Sequence, residues 1–197
     1  MSAKALAVHH WPRCGNKLEP ESGPIVVAIE TPRTAIRVTA RALVRKAARE
    51  IIATLLNRDS DSIPLIASAG IPPRIEGQDG IYLSISHESG LSLLAISVIH
   101  PVGVDILESL ENPPWKVEIP ALAKDYFGAA LAEKLTGLDS TIQARNFAQE
   151  WTKHEARLKC LSIPLTEWTA QLTAHPHVQI STLDLPTGYY GALATMG

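Results

Sequence analysis

The chain has 197 residues, 46% of them hydrophobic and 19% charged, with a formal net charge of −2. That length admits one domain or two small fused lobes, and the apolar content excludes a disordered or fibrous chain. Near-neutral charge gives no global reason to expect nucleic acid or an anionic membrane as partner, and no apolar run approaches the roughly 20 residues of a spanning helix. The stretch from Met1 to Val8 is too short for the apolar region of a signal peptide, so a cytoplasmic location is expected. Cys14 and Cys160 form no metal-type pair, and neither a disulfide framework nor a thiolate zinc site is expected.

In chain order, Gly23 to Ile29 reads as a strand after a turn. A helix follows from about Thr39 to Leu56, with Val44, Ala47, Ala48, Ile51, Ile52 and Leu55 at three- and four-residue steps. Arg37, Arg41, Arg45 and Arg49, joined by Lys46, form a basic edge beside that buried stripe. Ile63 to Arg74, with three prolines and Gly70, reads as an irregular connection.

The middle of the chain is β. Ile81 to Ser86 alternates apolar and small polar residues, His87 to Gly90 can turn, and Leu91 to Ile99 supplies the returning strand. His100-Pro101 breaks it, and Val102 to Leu107 begins another strand. Two short helical segments, Pro120 to Phe127 and Ala129 to Leu135, precede a long helix from Thr141 to about Leu161. Ser140 and Gln143 stand in capping-box spacing at its start, and Phe147, Trp151, His154, Leu158 and Leu161 mark its inward stripe. Val178 to Leu185 and Tyr189 to Thr195 read as closing strands. The expected class is α+β, two lobes spanning 1–101 and 102–197 with a seam near Pro101, each a small sheet covered by a long helix.

Three places depart from ordinary patterning. Asp105 sits inside an apolar strand, where a carboxylate costs several kcal/mol (about 3–5 when its partner is removed) unless a cation, a hydrogen bond or a metal compensates it. A turn cap or an arginine partner would satisfy it as well as a metal would. Glu155 and Lys159 share one side of the long helix with Trp151, in a spacing that also suits a surface salt bridge. Ser86-His87 ends a strand close to the arginine edge, where hydroxyl and imidazole can bind phosphate oxygens; a turn histidine is the plainer reading. A Ser-His hydrolase does not fit, because adjacent strand residues point to opposite faces. His175-Pro176-His177 reads as an exposed loop, and Trp115 and Trp168 as packing residues.

Taken together, Ser84-Ile85-Ser86-His87, Val102-Gly103-Val104-Asp105-Ile106 and Trp151 to Lys159 resemble, in order and separation, the three signature blocks of the two-lobed 4′-phosphopantetheinyl transferases of the surfactin type. Ala42 to Arg45, Ala123 to Phe127 and Pro186 to Met196 extend the resemblance over nearly the whole chain. It implies a pseudo-dimer of two similar α/β lobes, each with a mostly antiparallel sheet on a long helix. It also implies transfer of phosphopantetheine from coenzyme A to a serine of an acyl or peptidyl carrier protein with Mg²⁺, releasing adenosine 3′,5′-bisphosphate. By position, Asp105 and Glu155 match the metal-binding carboxylates, and Glu155 also the base for the carrier serine. Lys159 matches the lysine that meets the pyrophosphate, and Ser86 and His87 the pair on the coenzyme's phosphates. A monomer is the simplest expectation for two fused lobes.

The sequence differs from the family pattern at four places. Leu107 stands where a second strand carboxylate is usual, which leaves a two-carboxylate, more water-rich metal set; Glu108 should point to the opposite face. His154 replaces the lysine before Glu155. Ile36 replaces the arginine for the coenzyme's 3′-phosphate, and Gly70 to Arg74 replaces a Gly-Lys-Pro loop, so Arg37 and Arg74 are the expected substitutes. No Gly-Lys-Gly follows the long helix. These departures keep a second class open, a non-catalytic homologue that binds a carrier protein or coenzyme A.

Overall fold

Strand β2 (Ile25–Glu30) is five buried aliphatic residues closed by exposed Glu30, and β6 (Leu91–Ser97) is buried throughout. Such unbroken apolar runs belong to strands covered on both faces. In the computed structural model, which describes residues 5–14, 18–34, 37–68, 71–108, 118–173 and 177–197, β2 and β6 form the centre of a four-stranded sheet. Its order is β1-β2-β6-β5, with β1 (His9–Trp11) parallel to β2 and β5 (Tyr82–Glu88) antiparallel to β6 at the far edge. Trp115, His175 and Pro176, and the side chain of Arg37, lie outside the described residues.

A second, antiparallel sheet has the order β7-β9-β8, from β7 (Val102–Glu108), β8 (Val178–Thr182) and β9 (Tyr189–Met196). In each half a strand, a long helix and a hairpin follow one another. In both sheets the last hairpin strand lies in the middle: β6 between β2 and β5, β9 between β7 and β8.

Alternation along the strands builds the layers. Val27, Ile29, Leu94 and Ile96 face helix α1 (Arg37–Leu56) and its Val44, Ala47, Ala48, Ile51 and Ile52. Val26, Ala28, Leu93 and Ala95 face the other way, onto Val104, Ile106 and Leu193 of the second sheet. The outer face of that sheet, Ala192 and Ala194, meets Ala156 and Cys160 of the long helix. The stack therefore runs helix, sheet, sheet, helix, a mixed α+β architecture. Helices α2 (Ile119–Phe127) and α3 (Ala129–Thr136) pack through Phe127 and Leu135 on Phe147 of α4 (Ser140–Cys160). Among the described residues no helix is long and apolar enough to cross a membrane.

Several elements differ from the sequence reading. The connection after α1 contains a short antiparallel ribbon, β3 (Leu65–Ile66) with β4 (Arg74–Ile75). Strand β5 runs on through His87 and Glu88, which pair with Ser92 and Leu91; Gly90 at φ +81° makes the tight turn. Strand β8 ends at Thr182, short of Leu185; beyond it Leu183 still donates to the Gly191 carbonyl and forms a parallel bridge with Leu6. Trp168 does pack, its ring lying where a Cβ on Gly128 would stand, but it remains 39% exposed.

Candidate functional site

Strands β5 and β7 are both sheet edges, and they lie against each other. An open edge presents unpaired backbone groups that need partners when buried. Ser84, Ser86 and Glu88 share one face of β5 through its two-residue period, and they supply those partners. Ser84 Oγ accepts the Val104 N–H at 3.0 Å, and Glu88 Oε2 accepts the Glu108 N–H at 3.4 Å. Between them Ser86 Oγ donates to Asp105 Oδ1 at 2.7 Å.

Asp105 faces α4, and its cation is Lys159. The ammonium stands 2.6 Å from Asp105 Oδ1, 3.2 Å from Ser86 Oγ and 3.3 Å from the Val104 carbonyl. The pair crosses the fold, in place of the helical Glu155–Lys159 pair that the spacing allowed. Close approach of helix and strand makes this possible: a Cβ on Gly103 would fall on the Ala156 carbonyl and the Cys160 amide.

Lys159 and Glu155 open onto a cleft of about 500 Å³ between the C-terminal end of α4 and the side of α1. Arg41 and Arg45 enter from α1 and His87 from β5; Ile71, Pro72 and Pro73 form one apolar wall, and Ile163, Pro164 and Leu165 the other. Arg45 also ties down the first wall by donating to the Ala67 carbonyl at 2.5 Å. The second wall is directed by the end of α4. Ser162 N–H bonds to the Lys159 carbonyl and Ile163 N–H to the Leu158 carbonyl, a Schellman pattern with Ser162 in the left-handed region at φ +55°. His87 Nδ1 lies 2.9 Å from the Ser92 hydroxyl across the β5–β6 pair. Burial holds the Glu155 carboxyl above the usual carboxylate range, the neighbouring charge of Asp105 adds to this, and Lys159 opposes it.

Five residues expected at a site are thus gathered: Ser86, Asp105 and Lys159 in contact, with His87 and Glu155 on the same cleft. Arg74 is not among them, since pairing in β4 buries Ile75 and leaves Arg74 exposed, off the cleft. Arg41 and Arg45 line it instead, and they were legible only as members of the basic edge. His154 turns away into an aromatic cluster with Tyr126, Phe127 and Trp151. Burial lowers its pKa, and its Nε2 is buried without a partner. Glu108 points away, as its register demands, and pairs with Arg33 at 2.8 Å; Arg33 reaches the Tyr189 hydroxyl at 3.1 Å, and that hydroxyl donates to the Ser89 carbonyl at 2.5 Å. Sequence reasoning missed Ser84 and the 162–165 wall. The Ser84/Ser86 alternation was the available signal for the first, and nothing local marked the second.

The fold and site define an α+β chain with a cation-rich cleft over a buried acid–lysine pair. No protein-family model matches the chain, and no curated protein matches its sequence.

Proposed function

We propose that the chain is a two-lobed 4′-phosphopantetheinyl transferase, transferring 4′-phosphopantetheine from coenzyme A to a serine of an acyl or peptidyl carrier protein. The observation that carries this reading is convergence. Three short blocks far apart in sequence, 84–87, 102–106 and 151–159, bring His87, Glu155 and Lys159 to one cleft and hold buried Ser86 and Asp105 against Lys159 beneath it. The shared strand, helix and hairpin order of the two halves supports the reading of a pseudo-dimer divided near Pro101.

The cleft suits a phosphate-rich ligand. Arg41, Arg45, His87 and Lys159 face it, and Glu155 is the acid beside them. Arginine forks and a lysine ammonium bind phosphate oxygens by charge-assisted hydrogen bonds. In the transfer, the serine oxygen forms a bond to the phosphorus of the phosphopantetheine group, and the bond to the departing adenosine 3′,5′-bisphosphate breaks. Glu155, whose proton affinity is raised, takes the serine proton, and Lys159 steadies the charge that gathers on the leaving phosphate.

Among the described residues no group of three or more His, Cys, Asp or Glu side chains comes together. Mg²⁺ needs no such group, being held by one or two carboxylates with phosphate oxygens and water, and Asp105 with Glu155 fits that donor set. When bound with the coenzyme it would supply charge neutralisation at the diphosphate.

The test is incubation with coenzyme A, Mg²⁺ and a panel of apo carrier proteins. A carrier heavier by one phosphopantetheine group is the expected result, and unmodified carriers throughout would refute the reading. One observation favours a non-catalytic carrier or coenzyme binder: Asp105 Oδ1 already holds both Lys159 and Ser86, and Leu107 adds no third carboxylate. That reading requires carrier binding without transfer, unaltered in Asp105→Ala.

A further inference from the structure

We propose that Lys159 is a placeholder for the cation: its ammonium occupies Asp105 until a divalent cation and an anionic diphosphate arrive together, so that metal and coenzyme binding are coupled. This rests on the transferase reading for the identity of the two ligands and on the geometry for the coupling.

Asp105 is buried in β7, with 8% of its side chain exposed, and a buried carboxylate needs a compensating charge in every state of the protein. Lys159 supplies it through three acceptors at once, Asp105 Oδ1, Ser86 Oγ and the Val104 carbonyl. A metal bound through Asp105 and Glu155 would stand within a carboxylate's width of this ammonium, and two cations that close in a buried setting repel strongly. Lys159 must then leave.

Its alternatives are decided by the cleft. Its charged neighbours there are Glu155, which the metal takes up, and Arg41, Arg45 and His87, so an ammonium expelled by the metal moves into a cationic space unless an anion is present. A diphosphate drawn in by those arginines gives Lys159 new acceptors and frees Asp105 for the metal. Each ligand therefore removes the obstacle to the other, and by linkage the enhancement is the same in both directions.

Free Mn²⁺, read by its paramagnetic resonance signal, reports metal binding without any transfer. Lys159→Gln without coenzyme is expected to bind Mn²⁺ about tenfold tighter than the unaltered chain or more, within the usual range of such couplings. Lys159→Arg keeps a cation on Asp105 and should stay as weak as the unaltered chain. Equal affinities in Lys159→Gln and the unaltered chain overturn the proposal. Should Lys159→Gln fail to fold, the ammonium resonance of Lys159 in the unaltered chain decides: it should shift with Mg²⁺ and coenzyme A together and stay in place with Mg²⁺ alone, and a shift with Mg²⁺ alone overturns the coupling. Carrier labelling run in parallel separates the two claims. Tighter Mn²⁺ binding with no labelled carrier upholds the placeholder and removes the transferase reading; equal affinities with a labelled carrier do the reverse.

Discussion

The two long helices, α1 and α4, have 20 and 21 residues, and each covers the outer face of one sheet. They even end alike: Asn57 at φ +50° and Ser162 at φ +55° close the same pattern of backbone hydrogen bonds. What separates them is the thickness of the layer beneath. Under α1, Val44, Ile51 and Ile52 join Ala47 and Ala48 against Val27, Ile29, Leu94 and Ile96, so large aliphatic side chains stand on the sheet side and at three of these five helix positions. Under α4 the contact is Ala156 and Cys160 on Gly103, Ala192 and Ala194. Small residues let α4 settle almost onto the strand, so the Lys159 ammonium reaches a buried carboxylate. The larger side chains hold α1 back, and Arg41 and Arg45 reach only into the space left open.

Gly103→Val attacks the thin layer directly. The new side chain meets helix backbone, which cannot rotate aside, so a loss of about 3 kcal/mol is expected in urea unfolding, together with loss of the carrier labelling that the proposed function requires. Ile52→Ala thins the thick layer instead and should cost about 2–5 kcal/mol by the same measurement. Here the Asp105–Lys159 pair lies outside the damage, and metal binding should survive in the folded fraction.

The acidic response of α4 is smaller and has two opposing parts. Burial holds His154 below its ordinary 6.5, with Arg157 adding and a hydrogen bond to the Thr166 backbone opposing. The unfolded chain therefore takes up the proton first, and this contribution to stability, complete above pH 6.5, falls as pH drops through and below that value. Glu155 does the opposite. Its raised pKa favours the folded state at pH below its ordinary 4.5, and that contribution is lost as pH rises through the folded value. Unfolding curves across pH 4–8 should show the first slope removed in His154→Phe and the second in Glu155→Gln; unchanged slopes would refute both assignments.

Smallest is a gain. Ser162 adopts a left-handed conformation that costs a residue bearing a Cβ, so Ser162→Gly should stabilise by about 0.5–1 kcal/mol in thermal melts. Asn57→Gly should gain less, since asparagine tolerates that region better.

Much of this was legible beforehand. The three-four spacing of Val44, Ala47, Ile51 and Ile52 located α1, and the single charge in Val102 to Leu107 marked Asp105 as a residue in need of a cation, because both are local consequences of periodicity and burial. The identity of that cation was not. Four-residue spacing brought Glu155 and Lys159 together as readily as it brought Lys159 to a distant strand, and only the depth at which α4 settles distinguishes them. Arg74 stands off the cleft for a comparable reason: in the two-residue ladder with Leu65 and Ile66, Ile75 is turned inward and Arg74 outward.

By itself, then, the sequence determined the long helices and most of the strands, and which polar residues were too costly to be ordinary core. Tertiary structure alone decided that Ser84 and Ser86 seal the edge of β7, that Lys159 crosses to Asp105, and that Arg41 and Arg45 share a cleft with Lys159. Local patterns record the period of an element and the cost of burying a charge, whereas the meeting of two edges depends on side-chain volumes summed over layers far apart in the chain.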